Sequence, residues 1–328
     1  MSSGIIILMR KRYLVGLFLV VIISIASIFI FGYNRGQASL EYLSSRRAEQ
    51  NKQIKQYNLL AKRLFLDEPN NSKINFTPLR ESLNEYFSNN NLSGGNLYFE
   101  YLPTGTSIKI SGDEQLVAAS LMKVPVAMDV YKSAELGRIN LDDIISLRPE
   151  WLNNEYGTLY KQGAGYQLTV QEAVKIMLED SDNTALFAVA AANSGKLSNE
   201  ESSLNYIDLD YKVNPDGTIA LNAKSYSSVL KCLYFSCYNS KEDSQNILNS
   251  LVNSTYKNRL KAGIGDPDMP VAHKIGTNLN NNQSDCGIVY YPKNNYLLCV
   301  MIPGPSTSET DTKISDISKI VYDFIYKN

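Results

Sequence analysis

Histidine is almost missing from this 328-residue chain, with His273 the only one. A Ser-His-Asp relay needs an imidazole beside its nucleophile, and a histidine-rich metal cluster needs several, so both have little to draw on. Cysteine is nearly as scarce. Cys232, Cys237, Cys286 and Cys299 form no Cys-x-x-Cys pair and have no histidine cluster beside them, so no zinc site is expected and no other metal or cofactor is implied. A surplus of basic charge is absent as well, the formal net charge being −1. Residues 1–63 hold ten Lys or Arg and two Glu, which leaves 22 bases against 31 acids in the remainder, a net of −9. An acidic remainder gives nucleic acid no support as a partner.

Long apolar runs are rare too. Residues 13–33, YLVGLFLVVIISIASIFIFGY, are uncharged, and as a helix they would measure about 31 Å, enough to cross a hydrocarbon core. A cleaved signal peptide is the alternative, but the run is long for one, no small-x-small cleavage site follows, and no cysteine follows to carry a lipid. Arg10, Lys11 and Arg12 favour a cytoplasmic N-terminus, although Arg35, Arg46 and Arg47 follow close behind. The basic segment after the run would lie against anionic headgroups or stand as a solvated helix of mixed charge. Leu40, Leu43, Ile54, Tyr57, Ala61 and Leu64 fall on a heptad grid that Arg47 and Gln50 interrupt, so a parallel dimer through this stalk is the weaker of two readings. The organisation expected is a tail over 1–12, a transmembrane helix over 13–33, a helical stalk and linker over 34–72, and a globular domain over 73–328.

Within that domain, Thr77-Pro78 opens a helix with an apolar stripe of Leu79, Leu83, Tyr86 and Phe87. Two short strands are expected over 96–102 and 106–110, a helix over 120–135, a mainly helical lobe over 141–254, and strands over 286–291 and 296–301 before a final amphipathic segment. Strands early and late with helices between suggest a mixed sheet flanked by helices, an α+β fold with an inserted helical lobe. In a hairpin turning at residues 292–295, Cys286 and Cys299 would be diagonal neighbours on one face. A disulfide is allowed there, with buried free thiols the preferred alternative.

Three motifs carry the chemistry: Ser120-Leu-Met-Lys123, Ser181-Asp182-Asn183 and Lys274-Ile275-Gly276-Thr277. Residues three apart on a helix share a face, so the Lys123 amine can reach the Ser120 hydroxyl. A serine needs an adjacent base, and a desolvated lysine is neutral enough to serve. The same Ser-x-x-Lys spacing recurs at Ser228/Lys231 and Ser254/Lys257. Only the copy at Ser120 has the other two motifs after it in order.

The segments around Ser120, Ser181 and Lys274 resemble the three active-site motifs of class A β-lactamases and related penicillin-binding serine hydrolases. The late hairpin and last helix look like that family's closing elements, and the likeness covers roughly residues 73–328. It implies an antiparallel sheet covered by helices, with the active site between sheet and helical lobe. It further implies that Ser120 attacks the carbonyl of a β-lactam or a D-Ala-D-Ala peptide, that Lys123 takes its proton, and that Ser181 relays a proton to the leaving amine. Asn183 would hold Lys123 and the substrate amide, Lys274 would attract the substrate carboxylate, and Gly276 would allow close backbone approach. The backbone N–H groups of Ser120 and Thr277 would form the oxyanion hole, where one donor is worth about 3 kcal/mol. Asp182 and His273 read as structural.

Two departures stand out. The family places a hydroxyl residue directly after the third-motif lysine, and this chain has Ile275. The family's deacylating glutamate lies within Glu-x-x-Leu-Asn; Glu201-Ser-Ser-Leu-Asn205 matches the string but follows Ser181 by only 20 positions. Ser198 to Glu201 also reads as a capping box opening a helix, which is the preferred role. The function expected is therefore a membrane-anchored, extracytoplasmic serine hydrolase acting on β-lactams, with a D,D-peptidase of slow β-lactam deacylation or a non-catalytic sensor as alternatives.

Overall fold

The structure is a computed structural model that describes residues 74–279 and 281–328, together with short helical stretches between residues 32 and 48. The chain divides between Lys73 and Ile74 into two compact units. All but the last two residues of the expected membrane helix over 13–33, and most of the stalk with its heptad positions, lie outside the described residues. Among the described residues no helix is long and apolar enough to cross a membrane.

The second unit opens with α1 (Thr77–Asn89), whose Pro78 sits in the first turn and whose Leu79, Leu83 and Phe87 are buried along one face. Strands β1 (Asn96–Tyr101), β2 (Thr106–Ile110) and β3 (Leu116–Val117) follow, then a 3₁₀ turn over Ala119–Met122 and α2 (Lys123–Glu135). The helical lobe holds β4 (Ile144–Ser146), β5 (Gln167–Thr169), α3 (Val170–Glu179), α4 (Asn183–Asn193), α5 (Ser203–Tyr206), β6 (Lys212–Val213), β7 (Ile219–Leu221), α6 (Ala223–Phe235) and α7 (Lys241–Val252). The chain returns through β8 (Val271–Asn278), β9 (Asn282–Val289) and β10 (Tyr296–Pro303) and ends in α8 (Ser308–Lys327).

The main sheet runs β2-β1-β10-β9-β8, with every pair antiparallel. The antiparallel sheet implied by the resemblance is present, in place of the mixed sheet suggested by element order alone. Short connections join β1 to β2, β8 to β9 and β9 to β10, and such links permit only antiparallel neighbours. Strand alternation then divides the core: Leu97, Phe99, Leu298, Val300 and Ile302 pack with α1 and α8, while Tyr98, Leu297, Cys299 and Met301 pack with the helical lobe. Both faces are covered, which is why β9 and β10 are buried almost along their whole length.

Cys286 and Cys299 stand directly opposite each other in the β9–β10 register, not diagonally, and they are joined by a disulfide. Cys232 and Cys237 form a second one. The expectation of free thiols is thus corrected, since no free cysteine remains among the described residues. The second bridge follows from the end of α6. Ser236 adopts a left-handed conformation, φ 49°, and the chain turns back so that Cys237 N–H bonds to the Cys232 carbonyl at 2.9 Å. The position that usually makes a hydrophobic contact across such a cap carries a sulfur instead.

Candidate active site

Ser120 does not begin an α-helix, as its spacing to Lys123 suggests, but sits in the 3₁₀ turn just before α2. Ala119, immediately ahead of it, holds φ 47°, a left-handed conformation that costs a non-glycine residue about 1–2 kcal/mol. The surrounding packing holds this strained residue in place. Ser120 remains half-buried at the mouth of a cleft, and Lys123 is 1% exposed behind it. The Lys123 Nζ donates to Ser120 Oγ at 3.0 Å.

The second motif is delivered by α3, whose capping box of Thr169 and Glu172 fixes its start. After α3 the chain turns through Ser181, φ 53°, and enters α4, where Asp182 is the N-cap. The Asp182 carboxylate is fully buried, accepting from Ala185 N–H and from Leu159 N–H, both at 2.8 Å. It is structural, as expected, and it also ties the segment before β5 to the start of α4. Gly157 lies against it so closely that a Cβ there would be 2.0 Å from Asp182 Oδ2.

Lys123 Nζ also donates to the Ser181 carbonyl at 2.5 Å, to Ser181 Oγ at 3.3 Å and to Asn183 Oδ1 at 2.7 Å. From the edge strand β8, Lys274 Nζ donates to the same Ser181 Oγ at 2.8 Å. One hydroxyl therefore stands between two buried amines. Burial pushes the Lys123 ammonium down to about 8, against an opposing pull from Asp182. Burial, reinforced by the charge on Lys123, pushes Lys274 well below the usual lysine range. An amine held near 8 takes up and releases a proton at neutral pH, which is what activation of a weak alcohol nucleophile requires.

A family model described as the Beta-lactamase enzyme family matches residues 78–325. The chain belongs to that family. It is a serine hydrolase. The chain is similar to the β-lactamase VEB-1 of Pseudomonas aeruginosa, 24% identical over 242 residues that span 66% of this chain and 81% of the relative. Among solved structures it is similar to a mutant of PBP-A, an acyl-enzyme complex with penicillin G, at 25% identity and a TM-score of 0.69 over 77% of this chain and 97% of that one. A β-lactamase from Chitinophaga pinensis shares the fold at 21% identity and a TM-score of 0.68, covering 77% of this chain and 100% of that one.

In this β-lactamase-family enzyme a cleft of about 350 Å³ is lined by Ser120, Lys123, Asn183, Thr277, Glu155 and Tyr156, among others. Glu155 and Tyr156 went unread in the sequence, because nothing local marks a loop that packs back on α4. Gly276 lies in β8 for a reason beyond substrate approach. A Cβ there would come within 2.4 Å of Ser284 Oγ and 2.6 Å of the Ala118 carbonyl, so the glycine lets β8 press against the turn that carries Ser120.

Ile275 is buried. Thr277 Oγ1 accepts from Arg259, a residue that sequence reasoning missed. All five N–H donors of Arg259 are engaged, with Asp311, the Gly276 and Ser284 carbonyls, Thr277 and Gln283. Asp311 comes from α8, so the last helix braces the third motif through one guanidinium. His273 points away from Lys274 and bonds through Nδ1 to the buried Asp285 carboxylate at 2.9 Å.

Glu201 is not among the residues lining the cleft. It forms a bidentate pair with Arg138, at 2.7 and 2.8 Å, and its carboxylate accepts from Ser198 N–H at 2.9 Å. The Arg138 hydrogen bonds pull its carboxyl down to about 2, leaving a weak base. The reciprocal Ser198–Glu201 bonds of a capping box are present, but they close a turn. The helix itself starts later, at Ser203.

Proposed function

We propose that this enzyme hydrolyses β-lactams through an acyl-enzyme on Ser120. The observation that carries this reading is the convergence of Lys123 and Lys274 on Ser181, with Ser120 Oγ 3.0 Å from Lys123 Nζ. Neutral Lys123 takes the Ser120 proton as Oγ attacks the lactam carbonyl, and backbone N–H groups of Ser120 and Thr277 steady the oxyanion. The proton passes from Lys123 through Ser181 to the leaving nitrogen as the C–N bond breaks. Asn183 orients Lys123 and the substrate amide. Lys274 meets the substrate carboxylate, whose charge draws a proton back onto the amine, and Thr277 adds a hydroxyl that Ile275 cannot supply.

The reading extends to placement. The tail over 1–12, the transmembrane helix over 13–33 and the stalk over 34–72 would hold the domain over 73–328 outside the cell membrane, where wall chemistry takes place. Two disulfides among the described residues suit an oxidising compartment. A second reading, a D,D-peptidase acting on wall peptides, draws on the position of Glu201. With that carboxylate held by Arg138, a trapped β-lactam ester would be released slowly.

The test is intact-mass spectrometry of the protein mixed with a penicillin and followed over time. β-Lactamase activity gives rapid loss of penicillin that Ser120→Ala abolishes. A lasting adduct that vanishes in Ser120→Ala favours the peptidase. Neither adduct nor turnover would end both readings for β-lactams.

A further inference from the structure

The Asn183 side chain has two ends with opposite requirements. Its Oδ1 accepts from Lys123 Nζ at 2.7 Å, and its Nδ2 donates to Asn153 Oδ1 at 3.1 Å. Asn153 Oδ1 accepts in turn from Glu155 N–H at 3.0 Å. A backbone N–H can only donate, so it fixes which end of the Asn153 amide faces Asn183. That in turn fixes which end of Asn183 faces Lys123. Asn153 is itself clamped by its backbone, its N–H donating to Thr184 Oγ1 at 2.9 Å and its carbonyl accepting from the Thr184 hydroxyl at 3.2 Å. The Asn183 N–H bonds to the Tyr156 carbonyl at 3.1 Å, which closes the same loop on α4.

The arrangement has a consequence only when Lys123 loses its proton. A lysine ammonium is a pure donor and holds Asn183 Oδ1 toward it unaided. The neutral amine carries a lone pair, and a free Asn183 amide could rotate to donate Nδ2 to it, occupying the electrons that must accept the Ser120 proton. We propose that Asn153 is a positioning residue that holds the Asn183 amide in one orientation and so keeps the lone pair of neutral Lys123 available to Ser120. The inference deepens the serine-hydrolase reading and rests on Lys123 as the base.

Other charged groups face Lys123 as well: Asp182 from the start of α4 and Lys274 from β8, with Glu155 on the cleft wall. None of them supplies an acceptor to Asn183 Nδ2 among its hydrogen bonds. Asn153→Ala removes that acceptor and keeps the backbone bonds to Thr184.

If the amide then rotates only on the neutral lysine, the rotated state competes with catalysis above the Lys123 midpoint and not below it. In Asn153→Ala the low-pH limb of the acylation rate stays unchanged, the high-pH plateau falls about tenfold for one hydrogen bond, and the midpoint moves down by about one pH unit. Asn153→Asp keeps an acceptor, restores the plateau, and moves the midpoint up through its added charge. Asn153→Leu, which keeps the volume, behaves as Asn153→Ala. A merely structural role lowers both limbs equally and leaves the midpoint in place, which would overturn the proposal. The same midpoint is read without substrate by ¹³C NMR of the Lys123 ε-carbon in the full chain. An unmoved value in Asn153→Ala sinks the role of Asn153 whether or not penicillin acylates the wild type. Absence of acylation with a lowered NMR midpoint would instead fault only the β-lactam reading.

Discussion

In the proposed mechanism, acylation turns on an amine made a weaker base by burial. Lys123 is held down to about 8, so its neutral fraction grows as pH rises through that value. Acylation by a penicillin is expected to climb between about pH 7 and pH 9 and then level off, a profile that stopped-flow or quenched mass measurements would check. A rate flat across that range would remove Lys123 as the base. Gly276 makes a second residue-scale prediction. The Ala118 carbonyl that its missing Cβ leaves room for is backbone and cannot swing aside like a flexible side chain. Gly276→Ala is therefore expected to displace the turn that carries Ser120 and lower kcat/KM about 100-fold, the loss typical of a misplacement near 1 Å. Wild-type kinetics in this variant would show that β8 yields without disturbing Ser120.

At the scale of elements, two short segments are fastened to the start of α4. The buried Asp182 caps α4 and also satisfies Leu159 N–H, so its loss leaves two donors unpaired in a buried site. Asp182→Ala is expected to cost about 2–4 kcal/mol in denaturant unfolding and to reduce acylation as well, because Asn183 is the first residue of that helix. A change below about 0.5 kcal/mol would mean that water replaces the carboxylate. α8 plays a comparable part for β8 through Asp311 and Arg259. The helices and strands themselves were largely legible in the sequence, where apolar periodicity and capping signals are local. The loop carrying Asn153, Glu155 and Tyr156 was not, since its order comes from hydrogen bonds to residues about 30 positions away.

For the whole molecule, the row that carries Lys274 also carries Cys286 and Cys299 in direct register across β8, β9 and β10. A disulfide of this kind contributes about 2–4 kcal/mol. Paired Cys286→Ala and Cys299→Ala substitution is expected to lower the melting temperature by a corresponding amount. In the double variant a reducing agent still opens the Cys232–Cys237 bridge, whose shorter loop contributes less. Equal melting curves for the wild type and the double variant would show that the sheet needs no covalent tie.

Three ordered motifs were enough to carry the resemblance to the family, and periodicity was enough to mark the faces that build the core, because each of these is a local pattern along the chain. Folding settled the rest. It joined both cysteine pairs, drew Glu201 onto Arg138 and closed Asn153 over Asn183. Each of those outcomes depends on which distant group arrives within about 3 Å with the right donor or acceptor, and a linear pattern carries no record of that distance.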